Sequence, residues 1–89
     1  MIKPGTKVLV RTYSAGVHFG TLWGGTGTVV HLKDSRRLWS WKGALTLNEV
    51  AETGVDLKNS KISIPVEQLV LTQAIEIMPI NAKSNLPCN

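Results

Sequence analysis

The sequence is poor in the groups that most often carry enzyme chemistry. It has one cysteine in 89 residues, Cys88, and two histidines, His18 and His31. A lone cysteine makes no internal disulfide and no thiolate metal cluster. Neither an HExxH motif nor paired Cys/His spacing is present, which argues against the usual zinc centres. The six acidic residues, Asp34, Glu49, Glu52, Asp56, Glu67 and Glu76, are scattered, so a carboxylate pair for acid/base or metal-ion work would have to be assembled by the fold. No cofactor is expected. No apolar run approaches the roughly 20 residues that span a bilayer, and Met1 to Gly5 lacks the apolar stretch and cleavage site of a secretory signal. The expectation from these absences is a cytoplasmic protein with no membrane partner.

What is present is the composition of one small globular domain, 43% hydrophobic and 18% charged, with a net charge of +4. A chain this short encloses a single hydrophobic core, and oligomerisation would help to stabilise it. The positive field attracts phosphates on nucleic acid, nucleotides or lipid headgroups, although basic charge also serves solubility alone.

Pattern along the chain is that of strands. Thr6 to Ser14 is rich in Val and Thr, and Ala15-Gly16 breaks it. His18 to Trp23 reads as the returning strand. Gly24-Gly25-Thr26-Gly27 reads as a hairpin turn rather than a phosphate-cradling loop, because it lacks the Lys-Ser/Thr ending of a P-loop and opens no helix. Thr28 to Leu32 and Arg37 to Trp41 follow as third and fourth strands, with Asp34-Ser35 turning between them. Thr46-Leu47-Asn48-Glu49 matches a capping box and Gly54 a helix stop, which predicts a short helix from Leu47 to Thr53 that turns Leu47 and Val50 inward. Ile62, Ile64 and Val66 alternate with polar residues, and Leu69 to Met78 reads as the last strand; Leu69, Ala74 and Ile77 also fall near helical spacing, but the β-branched residues favour the strand. Five or six strands and one short α-helix in residues 1–79 fit a mostly β fold, a small SH3-like barrel, with 80–89 as a flexible tail.

The densest chemistry lies in Arg36 to Lys42, which puts three cations and two tryptophans within seven residues. On a strand, Arg37, Trp39 and Trp41 share one face, and Arg36, Leu38, Ser40 and Lys42 the other. Arg offers a planar fork that fits phosphate and Trp a flat surface on which a base stacks. The competing reading makes Trp39 and Trp41 core or interface anchors with arginines stacked on them. Tyr13, Ser14, Gly16 and His18 flank a turn that offers a hydroxyl, an imidazole and free amides at one rim. The candidate ligand-binding set is therefore Tyr13, Ser14, Gly16, His18, Arg36, Arg37, Trp39, Trp41 and Lys42. No catalytic set emerges: Ser14 and His18 lack a visible third orienting group and oxyanion hole.

The blocks Tyr13 to Leu22, Ser35 to Ala44 and Leu45 to Ala51 resemble a family of small uncharacterised proteins encoded by tailed bacteriophages, over about Lys3 to Pro79. The sequence departs from that pattern at Trp23 to Gly27, where similar sequences tend to carry a charged turn, which marks Trp23 as a local specialisation. The resemblance implies a phage origin and action in the cytoplasm of an infected bacterium. By analogy with small phage β-barrels that withhold nucleotide messengers from bacterial immunity, it implies a non-enzymatic, oligomeric sponge for a small phosphate-bearing nucleotide, cyclic forms included. The alternatives are a nucleic-acid-binding SH3-like module, an enzyme that degrades a nucleotide messenger through His18, and a docking protein with the tryptophans as anchors.

Overall fold

The structure is a computed structural model, and it describes residues 2–88. Strand β1 (Lys7–Thr12) carries Val8, Leu9 and Val10 in succession, and all three are fully buried. A strand covered on both faces reads as a continuous apolar run, so β1 belongs in the middle of the sheet. It pairs antiparallel with β2 (Val17–Thr26) on one side and β6 (Ala74–Pro79) on the other. Next to β2 runs β3 (Val29–Ser40), whose outer edge is shared: β5 (Val66–Leu71) takes its first half and β4 (Lys61–Ile62) its second. The fold is mostly β, one six-stranded antiparallel sheet with one short α-helix, and the sheet is open.

Only Thr72 and Gln73 separate β5 from β6, although these strands pair at opposite sides of the sheet. So short a link forces the sheet to curl until its two edges approach at that corner. Three hydrogen bonds hold it there. Thr28 Oγ1 donates to the Thr72 carbonyl at 3.0 Å. The Ala74 N–H donates to the Thr28 carbonyl at 3.0 Å, and the Tyr13 N–H to that of Gln73 at 2.9 Å.

Curling gives the sheet two cores. Inside the curl, Val8, Val10, Val30, Leu32, Leu71 and Ala74 pack together. On the other face, Leu9, Phe19 and Leu38 from three neighbouring strands are covered by α1 (Leu47–Thr53) and by Val55 and Leu86. Each fully buried Leu, Val or Phe contributes about 1.5–3 kcal/mol by leaving water. The helix forms where the capping signals place it: Thr46 Oγ1 accepts from the Glu49 N–H at 3.3 Å, and Gly54, at φ 94°, closes it. It buries Val50 and Ala51, while Leu47 is half-buried.

Three expectations are corrected. Asp34-Ser35 is not a turn between two strands but a bend inside the single strand β3. Asp34 takes the left-handed region at φ 50°, which Asp tolerates better than most residues, and the ladder to β2 shifts register opposite Gly20. A Cβ on Gly20 would stand 2.8 Å from the Lys33 carbonyl oxygen, so only glycine permits this approach. The last strand is two strands, because the tethered Thr72-Gln73 corner divides it. Residues 80–88 do not form a loose tail: Leu86 is buried, and the Asn85 side chain pairs with both backbone groups of Val55, accepting from its N–H at 2.9 Å and donating to its carbonyl at 2.6 Å. Local polarity hid that role, since an amide side chain can pair like a strand backbone.

Replacing Asn85 with Ala leaves the buried Val55 backbone unpaired. The expected loss is about 1–3 kcal/mol, read as a lower urea midpoint with an unchanged slope.

Candidate functional site

The split edge of β3 leaves a gap. Between β4 and β5 the chain detaches over Ser63, Ile64 and Pro65, the proline being unable to donate a ladder hydrogen bond. Only Ser63 keeps touch with β3: its N–H donates to the Arg37 carbonyl at 2.9 Å and its Oγ accepts from the Arg37 N–H at 2.8 Å. Beside this gap lies a cleft of about 520 Å³. His18, Ser35, Arg37 and Trp39 form its polar and aromatic side, and Ile64, Val66 and Leu69 its apolar wall.

Register explains the assembly. His18 on β2 stands directly opposite Arg37 on β3, and Val10 lies opposite His18 on β1. His18 therefore shares the inner face of the curl with Val10 and sits where that core meets the cleft. The Arg37 Nε–H donates to His18 Nε2 at 3.1 Å. Since a guanidinium only donates, His18 must accept at Nε2 and carry its proton on Nδ1. Burial, and next the Arg37 charge, lower the His18 pKa from 6.5 to about 4, so the ring is neutral at pH 7.

Polar groups at this site lack partners. His18 Nδ1, Ser35 Oγ and Arg36 Nε are buried without a hydrogen bond, and all three residues line the cleft. His18 is 2% and Ser35 1% exposed. Leaving such groups unpaired costs about 1–3 kcal/mol each, which is unusual unless a site uses them. Arg36 Nη1 has a long hydrogen bond of 3.4 Å to the Ser63 carbonyl. No carboxylate neutralises either arginine: among the described residues the one ion pair is Arg11 with Glu76. At the rim, Trp39 is 60% exposed, and the Lys61 ammonium covers its ring at 4.8 Å from the centroid.

Of the nine residues singled out from the sequence, the cleft gathers His18, Arg36, Arg37 and Trp39. The others lie outside it. Tyr13 projects into solvent, and Ser14 Oγ donates to Gln73 Oε1 at 2.8 Å, so it makes no pair with His18. Gly16, at φ 85°, closes the β1–β2 turn, its carbonyl accepting from the Thr12 N–H at 3.0 Å. Trp41 does not share the face of Arg37 and Trp39: β3 ends at Ser40, and the ring packs against the helix-side core. Exposed Lys42 uses its backbone, donating to Ser60 Oγ at 3.0 Å. Sequence reasoning missed Ser35, Lys61, Ser63, Ile64, Val66 and Leu69, because their approach depends on the bend in β3.

Residues 5–86 match the model of a family described as a domain of unknown function, DUF6948. The chain belongs to this family. No curated protein and no solved structure matches it. In this DUF6948 domain, no cluster of three or more His, Cys, Asp or Glu able to hold a metal occurs among the described residues. Among the described residues, no helix is long and apolar enough to cross a membrane. The β2–β3 hairpin turn falls at Gly27-Thr28 rather than over Gly24 to Gly27: Gly24, Gly25 and Thr26 end β2 and pair with His31, Val30 and Val29. Gly24 to Gly27 line a second groove whose other walls, including Ile2, Leu22, Val30 and Ile77, are apolar and carry no cation.

The His18 pKa has a consequence for stability. Because its folded value, about 4, lies below the ordinary 6.5, the unfolded chain takes up this proton first as pH falls. Stability from His18 is thus complete above pH 6.5 and declines as pH falls toward 4, by on the order of 3 kcal/mol. Urea midpoints from pH 7 to 4 and an NMR titration of the His18 ring check this.

Proposed function

We propose that this domain is a non-enzymatic binding protein for a small phosphate-bearing nucleotide. The observation that carries the reading is the gathering of two arginines without carboxylate partners, an exposed tryptophan and two buried, unpartnered polar side chains in one cleft. A volume near 520 Å³ suits a mononucleotide-sized ligand. Arg37 would grip phosphate and Trp39 would stack on the base through the part of its ring that Lys61 leaves free. His18 supports binding over catalysis. A ring that protonates only near pH 4 is a weak base at neutrality, and the guanidinium on Nε2 blocks that nitrogen from taking a proton.

Taken with the resemblance to tailed-phage proteins, the ligand would be a nucleotide messenger of host defence, withheld in the cytoplasm of the infected bacterium. Self-association is part of the proposal, since several exposed apolar residues, Ile64, Val66, Val70 and Ile75 among them, would gain by burial between copies. The curled sheet is read as an SH3-like barrel left unpaired between β5 and β6.

Titration calorimetry against nucleoside monophosphates, cyclic mononucleotides and cyclic dinucleotides tests the reading. Saturable binding of at least one nucleotide is expected, weakened about 5- to 150-fold by Trp39→Ala, the worth of one stacked base. Absence of heat with the whole panel, or binding only to oligonucleotides with a steep salt dependence, overturns it.

A further inference from the structure

The inner end of the cleft carries a constraint on which base it accepts. This inference rests on the nucleotide reading above and names the ligand class within it. The Arg37 Nε–H occupies His18 Nε2 at 3.1 Å, which leaves His18 a single further capability: to donate from Nδ1. That nitrogen is buried and unpartnered, and so is Ser35 Oγ. Ser35 lies two residues along β3 from Arg37, diagonal to His18 across the ladder. A hydroxyl donates or accepts as its rotor allows, whereas His18 does not adapt while Arg37 holds it.

Charge and burial order the ligand. The inner side chains, His18 and Ser35, are neutral and nearly inaccessible, and the neighbouring wall of Ile64, Val66 and Leu69 is apolar. The exposed rim has Arg37 and Trp39, with the Lys61 ammonium over the tryptophan ring. A phosphate keeps its water and meets cations at the rim, and a planar base enters the drier interior. We propose that the cleft selects nucleotides whose base presents a keto oxygen to His18, as the C6 oxygen of guanine and hypoxanthine or a carbonyl of uracil can, and rejects those that present an exocyclic amine at that position. An oxygen gives the Nδ1–H its missing partner, while an amine sets donor against donor. Lys61, which the sequence did not single out, becomes a second phosphate contact beside Arg37.

Inosine and adenosine monophosphates differ at this edge, carrying a C6 oxygen with a protonated N1 in one and a C6 amine with an unprotonated N1 in the other, and make the test. Calorimetry is expected to show inosine monophosphate binding at least about tenfold tighter. Arg37→Leu, at an exposed position, removes the lock on the His18 tautomer. It should weaken both ligands and also bring their ratio toward one; a guanidinium acting only on phosphate would weaken both and leave the ratio unchanged. Lys61→Ala should weaken both with the ratio intact. A nitrogen-detected NMR spectrum should place the His18 proton on Nδ1 in the native protein and on both nitrogens in exchange in Arg37→Leu. Equal affinities for the two monophosphates, or a ratio that survives Arg37→Leu, overturns the selectivity while nucleotide binding stands. No binding of either, with none of any other nucleotide, overturns both.

Discussion

The bend of β3 at Asp34-Ser35 is the constraint on which the site depends. A strand of 12 residues that ran straight would offer one continuous outer edge to one partner. The bend turns that edge through two directions, so β5 follows the first half and β4 the second, and the chain between them stands away from the sheet. The cleft occupies that departure. Its cause lies on the neighbouring strand: Gly20, with no side chain, lets the Lys33 carbonyl and the Ser35 backbone come close, while Asp34 accepts a left-handed backbone that β-branched residues resist.

The same bend fixes the electrostatics. It places Arg37 opposite His18 and leaves Arg36 opposite Phe19, so two adjacent arginines start from different faces of the sheet. One becomes the partner of a buried imidazole; the other reaches the Ser63 carbonyl. Holding His18 neutral avoids an ionised ring in the interior, where a second positive charge beside a guanidinium would be costly. The result is a pair that is cationic outward and neutral inward.

Much of the local architecture was legible in the residues. The run Val8-Leu9-Val10, the Thr46 and Gly54 caps and the Arg36 to Lys42 cluster each announce themselves within a short window. What failed was long-range or depended on a single irregularity. Asp34-Ser35 has turn chemistry, but tertiary pairing with β2 on both sides of it keeps the strand going. Trp41 follows the alternation of Arg37 and Trp39 only while the strand lasts, and it ends one residue too soon. Asn85 looks like a polar tail residue until Val55, 30 positions earlier, is seen to need both a donor and an acceptor. Ser35 and Lys61 carry no local signal of a place beside a cleft, since that comes only from the fold around them.

The interruption at Ser63 to Pro65 bears on the exposed edge of the sheet as well as on the cleft. An outer strand that offers an unbroken row of N–H and C=O groups is a template on which other chains can add and aggregate. Here β4 is two residues long, a proline follows, and Lys61 and Glu67 stand on either side of the break. The break divides the row into a piece of two residues and a piece of six. The gap beside the cleft therefore also interrupts the edge on which another chain could add.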